Sequence, residues 1–184
     1  TEIESFSRII VNDVSGGGPS GFTVTSKNGL IREYGVTADS RVHAGDGTTV
    51  RSWALARVRD RAGNAIALTY ANDALPGAYS NGTQRVKSIT YPVTATGGGP
   101  FYRVDFAYSA RPDSDVPFGY LAGQLVREPY RLDAISVQSV GGGTIKAYAM
   151  TYEVAPVSGR LRLASVQECG ASTCLQPTTI TYQN

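Results

Sequence analysis

Few side chains in this 184-residue sequence could do bond-breaking or metal chemistry: one histidine, two cysteines and some closely spaced carboxylates. His43, in Arg41-Val42-His43-Ala44-Gly45-Asp46-Gly47, is the one imidazole that could serve a nucleophile as general base. Nothing around it resembles a nucleophile elbow or a cysteine-protease signature, so it reads as an exposed loop histidine. Cys169, Cys174 and His43 offer at most three soft ligands and no second paired motif to complete a tetrahedral zinc site. Asp113 and Asp115 form a D-x-D without the further oxygens or the glycine turn of a calcium loop, and read as solvated loop carboxylates. The glycine triplets at 16–18, 97–99 and 141–143 lack both the Gly-Lys-Ser/Thr of a phosphate loop and the GxGxxG of a dinucleotide site, so they read as turns. The expectation is a protein without catalytic residues, metal or cofactor.

Two features remain. Cys169 and Cys174 have four residues between them, and a disulfide there would contribute about 2 kcal/mol by restricting the unfolded chain. An oxidising compartment favours that bridge and a bacterial cytosol opposes it; two cysteines do not decide between them. The second feature is the 11 tyrosines. Tyr91, Tyr102, Tyr108, Tyr148 and Tyr152 lie in strand-like segments and form a candidate aromatic contact surface, for stacking on sugars or on a protein partner. The competing reading is half-buried packing with the hydroxyl in water. Trp53 reads as core.

The elements that would position these residues are hairpins. Phe22-Thr23-Val24-Thr25 alternates in period 2 and runs into Asn28-Gly29, a pair suited to a two-residue turn with positive φ at both positions. Val50 to Tyr70 reads as two strands around Arg61-Ala62-Gly63-Asn64. RVKSITY at 85–91 turns through TATGGGP into a strand whose Tyr102, Val104, Phe106 and Tyr108 share a face. YRLDAISVQSV at 130–140 turns through three glycines, and RLRLASVQE turns through the cysteine loop to TTITY. Three hairpins thus open with arginine and alternating apolar residues and close on Tyr108, Tyr152 or Tyr182; Tyr70 closes the second hairpin likewise. The tyrosines are 38, 44 and 30 residues apart, too irregular for a strict solenoid. Residues 111–127 are the longest irregular stretch, suited to a short helical turn or a surface loop. The expected fold is all-β, an antiparallel hairpin meander of about ten strands forming a sandwich or part of a β-shell. Residues 1–21 are expected to be a leading strand and glycine-rich linker, and 22–184 the hairpin repeats of one domain.

Composition agrees. Charged residues make up 17% against roughly 25% in an average soluble domain, and 21 glycines accompany the tyrosines. The net charge of +2 is scattered, which argues against a nucleic-acid partner. No apolar run approaches the roughly 20 residues of a membrane helix. With Thr1 at its start, the chain reads as a piece of a longer protein.

Two segments carry a family resemblance. VRDRAGNAIALTY at 58–70 looks like a degenerate Rhs or YD-type unit, with Asp60 and Gly63-Asn64 forming the turn. From Tyr130 onward, RLDAISV, AMTYE and GRLRLASVQECGASTCLQPTTITYQ resemble the amino-terminal region of SpvB-like proteins and of the B components of bacterial Tc insecticidal toxin complexes. SARPDSD and GFTVTSKNGLIREYG fit the same region, so the likeness covers about residues 20–183. It implies a β-structured, non-catalytic part of a secreted bacterial toxin, made in the bacterial cytoplasm, which encloses or pairs with other regions or subunits of that toxin. The transferase order of that family, an arginine, Ser-Thr-Ser and Glu-x-Glu, has only Glu2-Ile3-Glu4 to match it, so no catalytic residue carries over. The alternative is a module that binds a glycan or a receptor protein at the host cell surface.

Overall fold

The computed structural model describes residues 6–15, 18–71, 84–121 and 123–183. β1 (Arg8–Ser15), β2 (Gly18–Thr25) and β3 (Ile31–Tyr34) begin a sheet, which an outlying hairpin of β4 (Arg41–His43) and β5 (Val50–Trp53) interrupts. It resumes with β6 (Leu55–Arg59), β7 (Ala65–Ala71), β8 (Arg85–Val93) and β9 (Tyr102–Ala110). A second outlying hairpin, β10 (Phe118–Leu121) and β11 (Gln124–Arg127), precedes β12 (Tyr130–Ser139), β13 (Thr144–Val154), β14 (Leu161–Gly170) and the short β15 (Thr178–Thr179). Leaving out the two excursions, the strands form one eleven-stranded antiparallel meander in chain order. The all-β hairpin reading therefore holds, with more strand segments than the ten or so expected.

Three hairpins turn by the same device. The N–H groups of Gly29, Gly63 and Gly97 donate to the carbonyls of Ser26, Asp60 and Thr94 at 2.9, 3.2 and 3.0 Å. Each of these glycines has φ near +85° (86, 88 and 82°), so the loop is three residues with one left-handed position. This corrects the two-residue turn expected at Asn28-Gly29. Asn28 keeps a negative φ, and its carboxamide oxygen accepts from the Leu30 N–H at 3.1 Å. Of the glycine-rich stretch at 15–21, the described residues lie in strands: Ser15 ends β1 and Gly18 to Gly21 form the first half of β2, in register from Ser15↔Gly18 to Asn12↔Gly21. Gly and Pro at an outer strand leave the ladder weaker without preventing it.

The first excursion folds back on the sheet. The Trp53 ring meets Phe22 edge-on, centroids 5.0 Å apart, and its indole N–H donates to the Pro19 carbonyl at 2.9 Å. Gly35, at φ +70°, lies so close beneath that indole that a Cβ would collide with it. Ser40, wholly buried, closes a capping box with Thr37 at the short 3-10 turn Ala38–Ser40. His43 ends strand β4 and is half-buried, because its segment pairs with β5 instead of forming an open loop.

The second excursion fills the stretch expected to be irregular, with a 3-10 turn at Asp113–Asp115 and the β10–β11 hairpin. Asp113 is exposed, but Asp115 is only 2% exposed and is no solvated loop carboxylate. It accepts from Arg111 Nη1 at 2.7 Å and from the Leu161 N–H at 2.9 Å, tying the excursion to the start of β14. Burial alone would raise its pKa; the Leu161 N–H and the Arg111 guanidinium outweigh this and hold it below the ordinary carboxylate value.

Little of the apolar content is buried. Among the described residues only Val42, Ala56 and Ala65 are buried hydrophobics. The chain exposes 11451 Å² of surface, where a compact monomer of its 19.5 kDa would expose about 8,500 Å². An open single-layer sheet accounts for the difference, since among the described residues no second layer covers either face over most of its width.

Candidate functional site

The two faces of the sheet differ in chemistry, and the register shows how. Residues directly opposite one another share a face. One row runs Leu68, Ile89, Val104, Val137 and Lys146 across β7, β8, β9, β12 and β13. The next runs Phe106, Ile135, Tyr148 and Glu168, and beside it Met150 opposes Val166. On the other side Tyr91 opposes Tyr102. This face is apolar in its middle and charged at one border, where Lys146 Nζ lies 2.7 Å from Glu168 Oε1.

The opposite face is built from small and polar residues. Its rows are Thr69, Ser88, Asp105, Ser136 and Ala147, then Ala107, Ala134, Ala149 and Gln167. Hydroxyls meet across it, Thr69 with Ser88 and Thr151 with Ser165, each pair at 2.7 Å. Near β3 it carries Glu33, 8% exposed, bonded to Arg57 and 3.6 Å from Arg59. A sheet with one apolar and one polar face packs the apolar one against something. Among the described residues nothing packs on it over β8 to β14.

The apolar face is bordered by a line of tyrosines that also sets the register. The hydroxyls of Tyr70, Tyr108, Tyr152 and Tyr182 donate to the carbonyls of Leu55, Val86, Leu132 and Leu163, at 2.7, 2.9, 2.6 and 2.8 Å. Each acceptor is followed by a residue without a partner on the preceding strand of the sheet: Ala56, Lys87, Asp133 and Ala164 are the extra residues of four bulges. Tyr34, Tyr70, Tyr108 and Tyr152 lie opposite Leu55, Val86, Leu132 and Leu163, so acceptors and donors form one continuous row across the sheet. The arginine before three of the acceptors covers the rings. Arg85 is 5.2 Å from the Tyr108 centroid and 3.7 Å from that of Tyr130, Arg131 is 4.9 Å from Tyr152, and Arg162 is 4.3 Å from Tyr182. Burial raises the pKa of Tyr70, Tyr108 and Tyr152, keeping each phenol a donor.

The sequence-derived aromatic surface therefore divides. Tyr108 and Tyr152 are internal fastenings of the sheet. Tyr91 and Tyr102 touch each other at 5.7 Å on the apolar face, with Tyr102 42% exposed. Tyr148 sits in the middle of that face with Lys146 Nζ 5.9 Å from its ring. The arginine partners were visible in RVKSITY, RLDAISV and RLRLASV, but only the bulge that follows each shows why they recur.

Cys169 and Cys174 are joined by a disulfide. The bridge holds residues 171–183 along β14, where Leu175 N–H donates to Glu168 O at 2.8 Å and Ile180 N–H to Ala164 O at 2.9 Å. That edge of the sheet is thereby covered. Among the described residues no group of three or more His, Cys, Asp or Glu side chains could hold a metal, and no helix is long and apolar enough to cross a membrane.

No protein-family model matches the sequence, and no curated protein matches it. Solved structures do match. The crystal structure of TcdB2-TccC3 superposes with a TM-score of 0.76 at 14% identity, over 99% of this chain and 11% of that one. The Photorhabdus luminescens Tc holotoxin pore gives 0.75 at 15% identity, over 98% of this chain and again 11% of the other. The N-terminal domain of the effector protein SpvB from Salmonella typhimurium strain LT2 gives 0.71 at 14% identity, over 91% of this chain and 66% of that one. The chain thus spans about a tenth of the Tc chains and about two thirds of the SpvB domain. It has the fold shared by the SpvB amino-terminal domain and one segment of these Tc toxin chains.

Proposed function

We propose that this chain is a non-catalytic scaffold segment of a larger, secreted bacterial toxin polypeptide, whose apolar sheet face is covered by other parts of the same toxin. The observation that carries the proposal is the uncovered face of Leu68, Ile89, Val104, Phe106, Ile135, Val137 and Met150, in a sheet that is otherwise finished with turns, bulges and a pinned edge. The chain exposes 11451 Å², about 2,900 Å² more than a compact monomer of its mass, an excess within the area that obligate interfaces remove from water. Likeness of fold to toxin components supports the toxin context.

Cysteine labelling tests it. Val137→Cys should react with a maleimide in the isolated chain and be protected at least tenfold in the longer toxin polypeptide, while Ser136→Cys on the polar face separates specific cover from general occlusion. Equal labelling of Val137→Cys in both contexts would remove the proposal. The Tyr91–Tyr102 pair, with Tyr102 exposed and Tyr91 half-buried, favours a second reading, a glycan- or protein-binding module. Saturable glycan binding by the isolated chain that Tyr102→Ala abolishes would establish it.

A further inference from the structure

The two edges of the sheet are finished differently. The β14 edge is covered by residues 171–183 and the Cys169–Cys174 bridge. The β1 edge has no partner among the described residues. Sheet edges are commonly blunted with lysine, proline or a short strand. β1 has none of these: it runs eight residues, Arg8–Ser15, and reads RIIVNDVS, and its one irregularity, Asp13 at φ +22° without a partner in the β2 register, lies beyond the Arg8–Asn12 segment. Ile9, Ile10 and Val11 are 64, 42 and 48% exposed. Ile9 and Val11 stand on the apolar face opposite Val24 and Phe22, and Ile10 on the polar face opposite Thr23.

We infer that β1 is a self-complementary edge that pairs antiparallel with β1 of a second copy of this chain, about a two-fold axis through Ile10. The pattern decides both partner and register. Polar Arg8 and Asn12 flank Ile9, Ile10 and Val11 symmetrically, so a two-fold at Ile10 sets Ile10 against Ile10, Ile9 against Val11 and Arg8 against Asn12. Backbone direction agrees. The Asn12 carbonyl faces β2, where it accepts from the Ser20 hydroxyl at 3.2 Å. Backbone groups alternate in direction along a strand, so those of Ile9 and Val11 face outward. In this register they meet each other's outward N–H and C=O in reciprocal pairs, and Ile10 opposes Ile10 at a position that makes no ladder bonds. Moving the axis to Val11 sets Ile9 against Asp13 and loses the apolar match.

Three residues per copy bury far less than the roughly 1,200 Å² of a stable complex, so the association is weak and reversible. The inference concerns the isolated chain and does not rest on the toxin reading.

Sedimentation velocity between about 10 µM and about 1 mM, the span over which a weak dimer forms, tests it. The expected result is a reversible monomer–dimer equilibrium that Ile10→Lys abolishes and Val157→Lys, on a loop 89% exposed, leaves intact. Both native cysteines are bridged, so Ile10→Cys introduces a single free thiol at the axis. Under mild oxidation it should form a covalent dimer at least tenfold faster than Val157→Cys. A monomer throughout the range, a dimer that survives Ile10→Lys, or equal cross-linking of the two cysteine variants would each overturn the inference.

Discussion

Replacing Tyr152 by phenylalanine removes one oxygen and leaves the ring, so it isolates the hydrogen bond to the Leu132 carbonyl at 2.6 Å. A hydrogen bond of this kind contributes about 1 kcal/mol net, and the acceptor it leaves behind, beside the Asp133 bulge and half-buried, adds to the loss. The expected cost is about 1.5 kcal/mol. The Arg131 guanidinium, 4.9 Å from the ring centroid, is retained in Tyr152→Phe. Arg131→Met, which removes it together with its bonds to Ser109 Oγ and Asp133 Oδ1, should cost a further 0.5–1 kcal/mol or so, and the double variant measures how far the two contacts couple. Tyr91 is the control. Its hydroxyl makes no hydrogen bond among the described residues, and Tyr91→Phe should change stability by less than about 0.5 kcal/mol. Urea unfolding at constant m is the assay. The same substitution at Tyr70, Tyr108 and Tyr182 should repeat the loss, and all four together should remove about 6 kcal/mol, a large part of the stability of an ordinary domain. If Tyr152→Phe costs no more than Tyr91→Phe, the tyrosine row does not fasten the register and the reasoning fails.

Asp115→Asn keeps the shape but gives up the charge that Leu161 N–H and Arg111 share. A loss of about 2 kcal/mol, with faster amide exchange at Leu161, is expected; an unchanged exchange rate would show that the excursion is held by other means. Reduction of Cys169–Cys174 should cost about 2 kcal/mol and make residues 171–183 sensitive to protease while β8 to β13 stay protected; a tail that resists digestion after reduction would locate its hold in Tyr182 and the backbone bonds instead. The raised pKa values of Tyr70, Tyr108 and Tyr152 have a sign that alkaline titration can check. The unfolded chain loses these protons at the ordinary value of 10.0, before the folded one, so their contribution is complete below pH 10 and declines as pH rises through the higher folded values. Stability that stayed flat from pH 9 to about 11.5 would contradict the burial of these hydroxyls.

The grammar of arginine, alternation, glycine turn and closing tyrosine was legible because it is local: each hairpin repeats it within about 25 residues, and period 2 with β-branched residues leaves little room for a helix. What was illegible is what depends on neighbours. Asn28-Gly29 has the composition of a two-residue turn, yet strand register sets the loop at three residues and only Gly29 turns left-handed. Asp115 reads like any loop aspartate until Arg111 and the distant Leu161 close around it. The tyrosines looked alike along the chain, and the bulges at Ala56, Lys87, Asp133 and Ala164 separate those whose hydroxyls fasten a carbonyl from Tyr91, Tyr102 and Tyr148. A bulge leaves no mark on composition; it becomes visible only when two strands are laid side by side.

That the described residues form no core over β8 to β14 then takes on a different meaning. A sequence with weak fold specification would show slack turns, mixed faces and uncommitted register. This one has glycines placed at left-handed positions, hydroxyl pairs aligned across its polar face, and a tyrosine at nearly every second strand locking the pairing. Precision of that kind, without burial of the apolar face, argues that the sheet is ordered in advance for a surface that arrives from elsewhere. Rows of backbone hydrogen bonds and tyrosine fastenings hold the sheet in shape without a second layer. The apolar residues are therefore left available, and under the proposed assembly their burial would add roughly 25 cal/mol per Å² that folding of the sheet does not supply.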